Sequence, residues 1–181
     1  IVYTSFARAS TNAVYDEWLV GRRGWVEDAA HNRRWIRRAD KLLMDPYGEH
    51  SARAHMHPGF LSKDVIGPSG PVDPGLSILA TQTLDGKPIA LLANYSPHYF
   101  GSGLLSADYY GMFCREIAQR LNQESSEGNF VAMMSQGTSG DLSVNDYHST
   151  KGPGKIEDYS AGLAALAIDA YETIEWQDHV P

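Results

Sequence analysis

Apolar and polar positions along the second half of the chain predict, in order, strand, strand, helix, strand and helix. Leu76 to Thr83 reads as a strand, and Pro88 to Tyr95 (PIALLANY) as a nearly all-apolar one, the pattern of a strand buried on both faces. Between them Leu84-Asp85-Gly86-Lys87 is a hairpin turn, because Asp-Gly suits a type I′ turn with positive φ. Tyr109, Phe113, Ile117 and Leu121 recur four apart on one face of a helix. Ser106 is its expected N-cap and Asp108 sits in its first turn, where a carboxylate favours the helix dipole. Asn129 to Ser135 (NFVAMMS) is another buried strand, so strand, helix and strand form a βαβ unit, for which a right-handed crossover is the rule. Leu163, Leu166, Ala167 and Ala170 mark the apolar side of a last helix over residues 155–176.

The first half is less regular. Residues 1–8 (IVYTSFAR) are rich in β-branched and aromatic side chains and read as a strand. Trp18, Leu19 and Val20 fit a short helix that Gly21 and Gly24 interrupt. Residues 33–44 read as a strand ending at the turn Asp45-Pro46-Tyr47-Gly48. Residues 45–74, rich in Pro and Gly with weak periodicity, read as a long ordered loop, a feature often functional in compact domains. The fold class expected is α/β: a mixed sheet with a βαβ unit and flanking helices.

Composition narrows the function. The chain has 181 residues, 43% hydrophobic and 20% charged, which excludes disorder, collagen and low-complexity repeats. Fifteen Lys and Arg against twenty-two Asp and Glu give a net charge of −7, which argues against nucleic acid as the main partner. Apolar runs such as Ile89 to Ala93 are too short to span a bilayer. The single cysteine, Cys114, cannot make an internal disulfide. The first residue is Ile1, and no charged start precedes an apolar stretch, so the chain reads as a piece of a longer one. Residues 1–63 hold ten basic and seven acidic residues, net +3, leaving net −10 for residues 64–181. The basic run Arg33, Arg34, Arg37, Arg38 and Lys41 around Trp35 has the makings of a contact with phosphate or an anionic membrane. The simpler reading is a strand whose arginines are partly solvated and partly paired with Asp, with Arg33 set apart.

Ligands collect beyond the carboxyl ends of parallel strands in βαβ units. Two small, polar, glycine-bearing segments lie there and should be neighbours: Asn94 to Gly101 after one strand, Ser135 to Asn145 after the other. A neutral imidazole at His98 suits metal binding or base chemistry, but for a lone histidine with no ligand-spaced partner a plain loop residue capped by a carbonyl is the commoner case. His55-x-His57 has ligand-like spacing but lies in the Pro/Gly loop, where two exposed histidines are more often accidental. His31, His50, His148 and His179 have no company that points to chemistry. Ser143, in Gly140-Asp141-Leu142-Ser143, sits where backbone N–H groups can converge on an oxyanion, although on spacing alone a turn or cap role is the better reading than a nucleophile. The segment lacks a G-x-S-x-G elbow and the lysine of a phosphate loop.

Four short stretches, taken in order, resemble the catalytic domain of the neutral/alkaline ceramidase family. They are Asn32-Arg33-Arg34; Gly70-Pro71-Val72-Asp73-Pro74; Ala93-Asn94-Tyr95-Ser96-Pro97-His98 with Ser106-Ala107-Asp108-Tyr109-Tyr110-Gly111; and Gln136 to Asn145. The resemblance covers about residues 30–150. It implies a zinc-dependent amidase that cleaves the N-acyl amide of ceramide or a related lipid, residues 1–181 being part of a larger catalytic domain. It implies His98 as a zinc ligand, Ser143 as nucleophile, Arg33 near the site, and Gly140, Asp141 and Asn145 around the substrate. The other zinc ligands it implies, an upstream His-x-His histidine, a Glu and a Tyr, have no matching motif here. His55-x-His57 follows Arg33 where the family's motif precedes the arginine. Weak or no zinc binding and no activity of these 181 residues alone are therefore expected. A lipid amide partner, peripheral membrane contact and an extracellular or periplasmic setting are further implications. Where the family carries Asn-Arg-Ser and a proline after the serine, this chain has Asn32-Arg33-Arg34 and Val144.

Two other readings compete. One is a noncatalytic binding domain of the same fold. The other is a metal-free serine hydrolase, with His98 as base to Ser143 and Asp108 or Asp141 as orienter, which requires His98 within hydrogen-bond reach of Ser143.

Overall fold

The computed structural model describes residues 29–121, 130–150 and 152–176, together with the backbone path of 2–10. The short helix considered for residues 11–30 falls almost wholly outside the described residues. Along them run β1 (Val2–Ser10), β2 (His31–Asn32), β3 (Arg34–Arg37), β4 (Ala54–Met56), β5 (Val65–Pro68), β6 (Gly75–Thr83), β7 (Pro88–Tyr95), α1 (Asp108–Arg120), β8 (Val131–Gln136), β9 (Leu142–Ser143) and α2 (Ile156–Glu172).

The main sheet has the order β1-β6-β7-β8. β6 pairs antiparallel with β1 and β7, while β8 joins β7 in parallel with Tyr95 opposite Gln136. The sheet is mixed, and β7-α1-β8 is the expected βαβ unit. Its hydrophobic core lies between one sheet face and the two helices. Leu76, Ile78 and Ala80 of β6 and Leu91, Ala93 and Tyr95 of β7 pack with Tyr109, Phe113 and Ile117 of α1 and Leu163, Leu166 and Ala167 of α2. The four-residue spacing on α1 thus marks its buried face. β7 differs from expectation: its burial alternates, with Asn94 exposed and Leu92 half-buried. Both described helices pack on one face, and the β7 residues facing the other way, Ala90, Leu92 and Asn94, are half-buried or exposed.

The β6–β7 turn also differs. Gly86 has φ +84°, but Asp85 is not left-handed, and the Gly86 N–H donates to the Thr83 carbonyl (3.0 Å). This is a turn closed by one left-handed glycine, which goes with the register shift between Thr81 and Gln82. At the start of α1 the capping position is Ala107, and the Ser106 hydroxyl accepts the Asp108 N–H instead (2.9 Å). Asp108 has φ +50°, and its carboxylate accepts the backbone N–H groups of Phe100, Gly101, Ser102 and Tyr109 at 2.8–3.1 Å.

Residues 33–74 carry more structure than their sequence predicts. β3 stops at Arg37, a single 3-10 turn follows over Ala39–Lys41, and β4 and β5 flank β3 in a second sheet of order β4-β3-β5. Strands of three or four residues are too short for alternation to register. The excursion is closed at its base by Asn32, whose amide donates to the Gly70 and Pro71 carbonyls (3.2 and 3.4 Å). Among the described residues, two of the five in its basic run are ion-paired, Arg38 with Asp40 (2.9 Å) and Lys41 with Asp64 (3.9 Å), while Arg34 binds the Ser69 hydroxyl (3.0 Å).

Candidate functional site

Because β7 and β8 are parallel, the loops leaving them emerge at the same sheet edge. The Gly137 N–H donates to the Tyr95 carbonyl (2.9 Å), and a Cβ on Gly137 would stand 2.6 Å from Ser96 Oγ. The two loop segments expected to be neighbours therefore touch, and glycine is what permits it. Ser96 in turn donates to Asp73 (3.2 Å).

From Gly137 the chain turns back into β9, which pairs with β2 so that Ser143 faces His31 and Leu142 faces Asn32. The Arg33 N–H extends this ladder to the Asp141 carbonyl (2.7 Å). Ser143 is 5% exposed, and its Oγ accepts the Asn145 N–H (3.2 Å). Arg33 binds the Gly140 carbonyl through Nε and Nη2 (3.2 and 3.0 Å). Asn32 Nδ2 lies 3.4 Å from Asp141 Oδ2. Arg33, Gly140, Asp141, Ser143 and Asn145, all singled out from sequence, thus occupy one place.

Two residues that sequence reasoning set aside or passed over join them. Arg33 Nη1 is 3.4 Å from His57 Nε2, and His57 Nδ1 is 2.6 Å from the Tyr147 hydroxyl. Tyr147 is buried, and its phenol also interacts with the Asn145 and Ser143 side chains. Trp35 meets its ring edge-on, Phe60 tilts against it, and the Leu61 N–H caps its carbonyl (3.0 Å). His57 adopts φ +52°, a left-handed conformation uncommon for a residue with a Cβ, and its N–H is held by the Arg33 carbonyl (2.9 Å). His57 was visible only as half of a His-x-His pair, and nothing in the sequence marked Tyr147. Desolvation, then the Arg33 charge, then His98 press the His57 pKa below the ordinary histidine value, so the ring is neutral at neutral pH. Desolvation raises the Tyr147 pKa despite hydrogen bonds from Asn145 and Ser143 and the nearby Arg33 charge, so it remains a phenol.

His98 stands apart from this chain of contacts. Its half-buried ring lies beside Tyr99, with centroids 4.3 Å apart, and makes no hydrogen bond among the described residues. It is near enough for its charge to act on His57. The expected direct Ser143–His98 pair is not formed. Neither proposed orienter serves His98 either: the Asp108 carboxylate is taken by backbone N–H groups and Asp141 faces Asn32. Among the described residues no three His, Cys, Asp or Glu side chains converge as a metal site. His57 has both ring nitrogens engaged. Beside the site lies a cleft of about 400 Å³ lined by His31, Asn32, Trp35, Pro71, Asp146 and Tyr147. Past Tyr99 lies a wider one of about 730 Å³, lined by residues from Tyr99 to Tyr110.

No protein-family model matches the chain, and no curated protein sequence does. Solved structures do. A ceramidase complexed with C2 matches 95% of this chain with a TM-score of 0.54 at 15% identity, using 22% of its own length. The neutral ceramidase from Pseudomonas aeruginosa matches 95% with a TM-score of 0.50 at 15% identity, using 23% of its own. The chain thus spans less than a quarter of these structures. What it shares with them is architecture: a mixed α/β, ceramidase-like fold.

Proposed function

We propose that the chain is part of a hydrolase that cleaves the N-acyl amide bond of ceramide or a related N-acyl lipid, with Ser143 as nucleophile. One observation carries this reading. The four scattered stretches that resemble ceramidases bind one another: Asn32 bonds to Gly70, Pro71 and Asp141, Asp73 to Ser96, and Gly137 packs on Ser96. Such mutual contacts among short, distant motifs support a shared site as well as a shared fold. In this reading Ser143 Oγ adds to the acyl carbon, the C–N bond breaks as the serine proton passes to the leaving amine, and water then releases the acyl group as a carboxylate and restores the hydroxyl, whose position the Asn145 N–H fixes. Arg33 holds the Gly140 carbonyl and so shapes the loop around the substrate, with Gly140, Asp141 and Asn145 as its wall. Leu104 and Leu105, fully exposed on the loop beside the wider cleft, suit contact with a lipid surface.

Zinc enters through His98, whose ring hydrogen bonds to nothing among the described residues. A catalytic zinc needs about three protein ligands. The described residues do not make up that set, so no step here is routed through the metal. The reading includes further ligands from elsewhere in the protein and a setting outside the cytoplasm.

The test is hydrolysis of a fluorescent N-acyl sphingoid amide by the native protein carrying this chain, wild type against Ser143→Ala and His98→Ala, with and without chelator. Expected is a fall of several orders of magnitude for Ser143→Ala. His98→Ala and chelation should each abolish most activity and should not add. Equal rates in every arm would end the amidase reading for these residues.

A further inference from the structure

We propose that Arg33, His57 and Tyr147 form a hydrogen-bond relay of fixed polarity that positions Ser143, with His57 acting as orienter and not as base. The inference rests on the amidase reading and deepens it. A guanidinium can only donate, so the Arg33 contact at 3.4 Å requires His57 Nε2 to be an unprotonated acceptor. The proton of the neutral ring is then on Nδ1, which donates to the Tyr147 oxygen at 2.6 Å. With that direction set, the phenol proton is turned away from His57, and Tyr147 stands two residues beyond Asn145, whose N–H holds the Ser143 hydroxyl (3.2 Å).

Each member is held in place by something other than the relay. Arg33 is fixed by the Gly140 carbonyl, the His57 backbone by the Arg33 carbonyl, and Tyr147 by Trp35, Phe60 and the Leu61 N–H. The left-handed backbone at His57 brings the imidazole between Arg33 and Tyr147. A residue strained to bridge two others is better explained by that bridge than by core packing, because His57 lies outside the buried core. The relay crosses the boundary between the excursion that carries His57 and the β9 loop that carries Ser143 and Tyr147. It is therefore a tertiary device that neither segment provides alone.

Two measurements on the native protein test it. In the first, ¹⁵N spectra of the histidine rings, taken above the histidine titration range, report the His57 tautomer. A protonated Nδ1 is expected, and a protonated Nε2 overturns the proposed polarity. The second is a double-mutant cycle in N-acyl amide hydrolysis. Tyr147→Phe should lower kcat roughly tenfold with KM unchanged, the scale of one lost hydrogen bond. His57→Ala should match it, and the double variant should be no worse than either single one. His57→Asn, whose amide N–H can stand near the Nδ1 position, should recover most of the loss. Losses that multiply, or a Tyr147→Phe variant at wild-type kcat, overturn the relay. A Ser143→Ala variant at wild-type rate would instead overturn the amidase reading itself, and the tautomer measurement would still decide the polarity.

Discussion

Asp108 does the work of several residues. Four backbone N–H groups converge on its carboxylate, three of them from the loop leading away from β7. Burial alone would raise its pKa, but the Phe100, Tyr109 and Ser102 N–H groups outweigh it, and the carboxyl lies below its ordinary value. A carboxylate depressed in the folded state contributes stability that is full above the unfolded pKa. That contribution disappears as pH falls through the lower folded pKa. Asp108→Asn should therefore cost about 2 kcal/mol at neutral pH, because one acceptor oxygen becomes a donor facing other donors. Urea unfolding at pH 7 and again near pH 3 checks both parts, since the penalty should shrink in acid. The sequence placed Asp108 at a helix start, which follows from local rules. The loop it gathers was hidden, as was the His57–Tyr147 contact, which joins residues 90 positions apart. No spacing rule reaches that far. His57 looked accidental because its partners come from other segments.

Among elements, β7 and β8 decide where the candidate site lies. Their parallel pairing delivers two loops to one edge, and Gly137 lets them close to contact. Gly137→Ala would force a Cβ to 2.6 Å from Ser96 Oγ and 3.3 Å from Ser96 Cα, a backbone neighbour that cannot swing away. A loss of about 1–3 kcal/mol in unfolding free energy is expected. Gly140→Ala is the control: nothing lies within 4 Å of its Cβ, so the change should fall within about 0.5 kcal/mol. The βαβ unit was legible because 8- and 13-residue elements carry enough positions to display a period. β4 and β5, with three and four residues, do not, and Pro and Gly around them imitate a loop. The β6–β7 turn was located correctly and its geometry misjudged, since Asp-Gly is compatible with more than one turn.

At the scale of the whole molecule, the two helices cover one face of the main sheet, and large apolar side chains stand in water elsewhere. Val131 and Met133 on the outermost strand β8 are 49% and 44% exposed, while Leu104 and Leu105 are wholly exposed. Replacing both leucines by serine should change the melting free energy by no more than about 0.5 kcal/mol, since no burial is lost. A calorimetric scan checks this, and a large fall would mean that the loop packs on something in solution. The fold class was readable from pattern alone, whereas the second sheet and its seat against the site depend on contacts between distant segments. That seat has a consequence of its own. The excursion from Arg33 to Gly70 departs and returns through the side chain of Asn32. Residues 38–53, between β3 and β4, contain neither Arg33 nor His57, so that stretch can be lengthened or exchanged while Arg33, His57 and Tyr147 keep their contacts. Variation in loop length and retention of the contacts around Ser143 then become separate problems, solved in different stretches of one chain.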